Sequence, residues 1–420
     1  MAVIGLSPTS DGGLTTPYRG TVLAAAISGA LAPAYVVRWH VGPLPTTLLE
    51  AAILLTVLVF AVETVLRPVP IEWRGPLTLP AAVFLLAGAV SVMVSGDHRG
   101  ALGLYRAYFL EPAAFCLVVA AVCVTVRRAG LVLLGFAAGA VIVAVLNGAV
   151  VLQAIRHHVL NLATTPPVVI YQTANDVALY LVPLIAIAGA LLLYGTTRVE
   201  RLLSAIFLVI AIPAVVLSFS RGGYLALVAV GLGLALSHRR ARLLVPVFVL
   251  AILALSQVPL IKPRIAYELH PVPGNTLDFR IRIWGQTLRL LSHHPVLGIG
   301  LSNYKQAMGP FWQDLPQVIY PHNIVLNFWA VTGLLGLIAF AWLTGQAFVM
   351  ALSGWRRHSP EWRPYELGVF LFLIGMIVHG LVDVPFFKND LSLQYWAFLG
   401  LLWAARRWAL KAAEAGPVKP

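Results

Sequence analysis

The chain has 420 residues, 60% of them hydrophobic and only 11% charged, with a mean hydropathy of +0.87. A soluble globular chain is about a quarter charged, so this composition excludes one and specifies a polytopic membrane protein. The formal net charge of +13 would suit nucleic acid, but topology accounts for most of it, and no nucleic-acid partner is expected.

A hydrocarbon core takes roughly 20 apolar residues per helix. About twelve spans are read along the chain: Thr21–Val37, Thr46–Leu66, Leu77–Ser95, Leu104–Val126, Leu131–Ile155, Thr173–Tyr194, Leu202–Ser218, Gly223–Ser237, Leu243–Leu260, Asn323–Leu352, Tyr365–Phe386 and Leu391–Trp403. The eighth and the last are short. The first is kept as a helix because no convincing signal-cleavage site follows it. Cys116 and Cys123 fall seven apart in one apolar stretch, on one helix face and too far apart along the axis for a disulfide. They read as core residues, and no cysteine spacing suits a metal. The expected fold class is an all-α integral membrane protein, one polytopic domain over residues 1–420, with no internal repeat.

One long polar segment, residues 261–320, interrupts this pattern between the ninth and tenth spans. It carries Lys262, Arg264, His270, Arg280, Arg282, Arg289, His293, His294 and Lys305 against three acids. A long loop held between helices is usually functional, and its cationic excess suits an anionic ligand. With the N-terminus in the cytoplasm, 17 of the 29 basic residues fall on short inner segments, while the short outer segments carry one apiece. The positive-inside rule then places both termini inside and the long loop outside.

The unusual residues can be sorted on that topology. Arg221 sits between Ser218-Phe219-Ser220 and Gly222-Gly223 at the outer junction of the seventh and eighth spans. An arginine beside a helix N-terminus makes an anion site; the alternative is an arginine snorkelling to headgroups. Residues 275–291 have a helical pattern, with Leu277, Ile281, Trp284, Leu288 and Leu291 on one stripe. Arg280 lies at the edge of that stripe and is expected to face the membrane domain. Arg282, a lesser candidate, lies on the opposite, solvated side. The alternative is an amphipathic surface helix whose arginines face phosphate headgroups. His293-His294-Pro295 leading into Gly298-Ile299-Gly300 reads as a tight turn. It is not a phosphate loop, because the Gly-Lys-Ser/Thr ending is absent.

His322 and Asn323 open the tenth span. A histidine there can exchange protons near neutral pH; the alternative is a capping pair. His379 and Asp383 are four apart, on one face of the eleventh span, and ionisable residues at that depth mark function. A structural His–Asp bond between helices is the competing reading. Arg106, near Glu111 at the outer start of the fourth span, is a further candidate for ligand contact. At Asn175-Asp176, helix capping is the better reading. All these groups share one side. That argues against a transporter, whose sites sit at the midplane. Nor are there paired outer carboxylates of the glycoside-hydrolase kind. Arginines and histidines at a bilayer slot suit a lipid-linked diphosphate.

The order of motifs resembles the O-antigen ligase and O-antigen polymerase superfamily of bacterial membrane glycosyltransferases. The residues that carry the likeness are Ser220-Arg221-Gly222, Arg280 four before Trp284, His294-Pro295-Val296-Leu297-Gly298-Ile299-Gly300, His322-Asn323, and Gly333-Leu334-Leu335-Gly336. The likeness implies a GT-C-like enzyme of the bacterial inner membrane, independent of metal and cofactor. It would move a glycan from undecaprenyl diphosphate to a glycolipid or glycan acceptor at the periplasmic face. Arg221 and Arg280 would hold the diphosphate and His322 would assist the acceptor, with inversion at the anomeric carbon. Arg106, Asn323, Arg282, His379 and Asp383 are secondary substrate-binding candidates. A ligase and a repeat-unit polymerase share this donor chemistry, and a transporter or flippase of lipid-linked sugars is the rival of another class.

Overall fold

The computed structural model describes residues 17–42, 44–67, 74–160, 166–238, 242, 257, 262, 275–312, 315–357 and 359–414. The expected ninth span, Leu243–Leu260, apart from Gln257, and most of the first part of the long loop lie outside the described residues. The described chain is mostly helical. It runs α1 (Arg19–Ala30), α2 (Leu48–Leu66), α3 (Thr78–Val94), α4 (His98–Tyr105), α5 (Glu111–Val122), α6 (Val126–Arg156), α7 (Ala174–Tyr194), α8 (Arg198–Leu217) and α9 (Arg221–Ser237). Then follow α10 (Thr276–His293), α11 (Tyr304–Ala307), α12 (Ile324–Arg357), α13 (Arg363–Gly380) and α14 (Asn389–Glu414).

Six of these stretches are long and apolar enough to cross a membrane: α2, the continuous run His98–Val122, α6, α7, α8 and α12. Helices α3 and α9 are shorter apolar helices. Helix α7 is the centre of the bundle and packs against α13, α8 and α9. Its most apolar window is 78% buried, against 28% for α2 and for α8. A helix apolar all round and buried is a core helix, whereas the bare apolar flanks of α2 and α8 suit lipid.

Several boundaries differ from the sequence reading. Helix α1 stops after 12 residues and passes through a 3-10 turn, Ala32–Val36. An antiparallel hairpin of Arg38–Val41 with Leu44–Thr47 follows, which the all-helical expectation did not include. Trp39, Val41, Thr46 and Thr47 favour extended backbone. Thr47 then caps α2: its hydroxyl accepts from the Glu50 N–H at 3.1 Å, and the Glu50 carboxylate accepts from the Thr47 N–H at 3.0 Å, a capping box. A π turn, Arg106–Leu110, joins α4 to α5. Helix α14 is 26 residues long where a short span was expected. Cys116 and Cys123 are free and buried.

A candidate anion and proton-transfer site

Hydrogen bonds and ion pairs knit one end of the bundle together from segments far apart in the chain. The long loop anchors it. Helix α10 buries Ile283, Thr287, Leu290 and Leu291, while Ile281 and Leu288 are about half exposed. The packed face is therefore rotated from the expected Leu277–Leu291 stripe toward Arg280. The reason is local. The Thr287 hydroxyl bonds the Tyr304 hydroxyl at 2.7 Å, so a polar residue sits on the buried face, and the loop's own Tyr304, Met308 and Trp312 cover it. Arg282 lies off this face, 3.8 Å from Asp278, with a side chain 43% exposed.

The His-Pro-x-x-Gly-x-Gly segment is a wedge. Helix α12 is broken at Gly333, where φ is 68° and ψ −175°. The segment enters the break: the Ile299 N–H donates to the Ala330 carbonyl at 2.7 Å, and the Leu334 N–H donates to the Val296 carbonyl at 2.9 Å. A Cβ on Gly298 would lie 2.3 Å from the Ala330 oxygen, and one on Gly333 2.4 Å from the Val296 oxygen. Only glycine fits either place. On the other side the segment is sewn to α3. The Leu301 N–H donates to the Ser91 hydroxyl at 2.9 Å, and the Ser95 hydroxyl to the Leu301 carbonyl at 2.6 Å. His293 is exposed and its Nδ1 bonds only loop groups, Ser292 and the Arg289 carbonyl.

This framework fixes His322. The Trp284 indole N–H donates to the Pro321 carbonyl at 2.9 Å. The Asn323 side chain caps α12, accepting from the Val325 and Leu326 N–H groups, and donates to the Leu381 carbonyl at 3.0 Å. Between these two ties His322 holds a left-handed backbone, φ 52°. Its Nδ1 stands 3.5 Å from the Asp383 carboxylate, an ion-pair distance rather than a short hydrogen bond. Asp383 is buried. It accepts from the Asn175 amide at 3.2 Å and from its own neighbour's N–H, Val384, at 3.0 Å. The Arg280 guanidinium is within electrostatic reach of both Asp383 and His379.

Helix α13 ends at Gly380, so His379 and Asp383 do not share a helical face as expected; Asp383 stands past the helix end. His379 meets the Ser-Arg-Gly turn. A Cβ on Gly222 would lie 2.6 Å from the His379 ring, so glycine is what lets the N-terminus of α9 approach it. Ser220 caps that helix by accepting from the Gly223 N–H at 3.2 Å, and Arg221 is its first residue. The structure thus gathers Arg280, His322, Asn323, His379 and Asp383, with Arg221 on the turn against His379.

Arg106 is held elsewhere. It lies inside the His98–Val122 run rather than at its start, with its guanidinium 2.8 Å from Glu50 and 3.0 Å from Glu111, and it donates to the Pro45 carbonyl. Its charge is tied to the hairpin and α2. A second polar group lies beside His322. Tyr320 packs edge-on to the His322 ring at 4.8 Å. Lys388 pairs with Asp176 and lies over the Tyr171 ring at 5.8 Å. Burial and the Asp383 and Asp176 carboxylates raise the Tyr320 hydroxyl above its ordinary pKa, so it stays protonated and can donate. The Asp97 carboxyl is held below its ordinary range by the Gly100 N–H and the Ser302 hydroxyl, the latter 2.9 Å away. Among the described residues no group of three or more His, Cys, Asp or Glu is placed to hold a metal ion.

Residues 206–341 match the O-Antigen ligase family model, Wzy_C. The resemblance to the O-antigen ligase and polymerase superfamily therefore holds over the stretch that carries Arg221, Arg280, the wedge and His322. No curated protein matches the chain. Asn175, His379 and Asp383 lie outside the matched stretch and meet its residues only in space. Sequence reasoning missed Asn175 as a site contact. The cue in the sequence is the capping-box spacing of Thr173 and Asp176; in the structure Asp176 accepts from the Thr173 N–H, which leaves the Asn175 amide for another partner.

Proposed function

We propose that the chain is a membrane glycosyltransferase of the O-antigen ligase kind. It moves a glycan from an undecaprenyl-diphosphate donor to an acceptor hydroxyl at the outer face of the bacterial inner membrane. The observation that carries this reading is the convergence of Arg280 on the His322–Asp383 pair beside the Arg221 turn.

The chemistry follows from those groups. The acceptor oxygen attacks the anomeric carbon, the bond from that carbon to the diphosphate oxygen breaks, and undecaprenyl diphosphate leaves with the electron pair. Negative charge grows on the diphosphate, and fixed guanidinium groups stabilise it, at about 2.7–4 kcal/mol per donor removed. Arg221 and Arg280 supply that positive charge, and the reaction needs no divalent metal. The acceptor proton passes to Nε2 of His322. Asp383 faces Nδ1 of the same ring, fixes its orientation and stabilises the imidazolium that forms, as a third group does for a catalytic base. General-base assistance of this kind contributes typically 10²–10⁴-fold. A single displacement inverts the anomeric centre, and a product of retained configuration would end that part of the proposal.

A repeat-unit polymerase would use the same donor groups and differ only in its acceptor. A transporter or flippase would need the arginines and not His322. Reconstitution in liposomes with a fluorescent lipid-linked oligosaccharide and an outer acceptor separates them. The transferase gives labelled product in wild type and none in His322→Ala. Movement of the label between leaflets without product, unchanged in His322→Ala, would establish the transporter.

A further inference from the structure

Seven tyrosine hydroxyls, those of Tyr105, Tyr171, Tyr194, Tyr224, Tyr304, Tyr365 and Tyr395, bond protein groups. Tyr18 and Tyr180 are sealed in the core without a partner. Tyr35, Tyr108 and Tyr320 fall in neither class: among the described residues their hydroxyls have no hydrogen bond, yet they are not sealed. Of these three, Tyr320 packs against His322 and the other two follow from it. Tyr320 is within electrostatic reach of Tyr108, and Tyr35 of Tyr108. Phe387 is half-buried and packs edge-on to Tyr108 at 6.2 Å.

The charge here differs from that on the arginine side. Lys388 is paired with Asp176, and Arg106 with Glu50 and Glu111. Arg38 stands exposed at the rim. A floor of aromatic faces and protonated hydroxyls, with its inner cations neutralised, does not suit a phosphate. It suits a ring that presents C–H faces and many hydroxyls. Tyrosine offers both a stacking face and a polar handle.

We infer that Tyr108, Tyr320 and Phe387 form a pyranose subsite contiguous with His322, which holds the sugar while the arginines hold the diphosphate. This rests on the transferase reading above. The sugar belongs either to the donor, next to the diphosphate, or to the acceptor.

The test uses the full-length protein in detergent and two probes, undecaprenyl diphosphate and the same carrier bearing one N-acetylhexosamine. Wild type is expected to bind the sugar-bearing carrier more tightly. Tyr108→Ala and Tyr320→Phe should each cut that sugar-dependent gain at least threefold and leave binding of the bare carrier unchanged. Tyr108→Phe, which keeps the ring, should fall between. If the gain is unchanged and the KM for a glycan acceptor rises instead, the subsite holds the acceptor sugar. Equal weakening of both carriers, or no change in either the gain or the acceptor KM, overturns the inference. Failure of the transferase reading looks different. Wild type would then give no glycan transfer to any acceptor, whatever the tyrosine variants do to carrier binding.

Discussion

Replacing Trp284 by Phe tests how His322 is held. Its backbone lies in the left-handed region, φ 52°, which costs a non-glycine residue roughly 1–2 kcal/mol. Two ties offset that cost: the Trp284 N–H to the Pro321 carbonyl at 2.9 Å before it, and the Asn323 amide to the Leu381 carbonyl at 3.0 Å after it. Each contributes about 1 kcal/mol net. Trp284→Phe keeps an aromatic ring at the position and removes one tie, so the poised conformation loses about 1 kcal/mol, a factor of about 5 in population. Arg280 stays on the same helix, packed by Ile283 and Leu290. In a transfer assay kcat should fall about 3–10-fold while the donor KM changes less than about twofold. A normal kcat with a raised donor KM would refute this reasoning and make Trp284 a support for Arg280 alone.

Other consequences are equally open to measurement. Gly333→Ala places a methyl group against the Val296 carbonyl in a backbone region nearly closed to other residues, which costs of order 1–3 kcal/mol before the clash is counted. The detergent melting temperature should drop clearly, while Gly285→Ala, at a helical site with nothing within 4 Å, should melt no lower than wild type. Arg280→Ala should lose about 10²–10³-fold in kcat/KM, and Arg280→Lys should recover only part, because a lysine cannot reproduce the two-pronged guanidinium contact. Asp97 is held below its ordinary carboxylate range in the folded chain, so its stabilising contribution is full above the unfolded value of 3.8 and is lost as pH falls through the lower folded value. Wild type should therefore outlast Asp97→Asn in thermal melts near neutral pH, and the gap should close on acidification below pH 3.8; a gap that widens in acid would contradict the assignment.

The sequence announced the groups whose chemistry is local. Arg221 on a serine–glycine turn and His322 at a helix start could be singled out from the sequence as candidates, each against a bland alternative, a snorkelling arginine and a capping pair. Arg280 was expected to face the membrane domain, and it does stand within electrostatic reach of Asp383 and His379, although the packed face of its helix differs from the expected stripe. The stripe argument counted only apolar residues, whereas Thr287 is buried through the Tyr304 hydroxyl, and this turns the packed face toward Arg280. The contact between Asn175 and Asp383 spans 208 residues of chain, and no periodicity reports such a meeting. Hydropathy windows also blurred short irregular pieces. The hairpin after α1, the π turn at Arg106 and the break at Gly333 each fall inside or beside an apolar run. Each alters what that run can do: the π turn carries Arg106 to Glu50 and Glu111, and the break admits the wedge that fixes the loop.

The central claim is that His322 and Arg280 act together on one lipid-linked diphosphate. The most direct measurement is a single-turnover reaction of the purified protein with an undecaprenyl-diphosphate oligosaccharide and an acceptor, in a chelator of divalent metals. Free undecaprenyl diphosphate and glycosylated acceptor should appear together in wild type. Both should be lost in His322→Ala with donor still bound, and Arg280→Ala should lose donor binding. Release of undecaprenyl diphosphate at the wild-type rate in His322→Ala, or tight donor binding in every variant with no turnover in any, would contradict that claim.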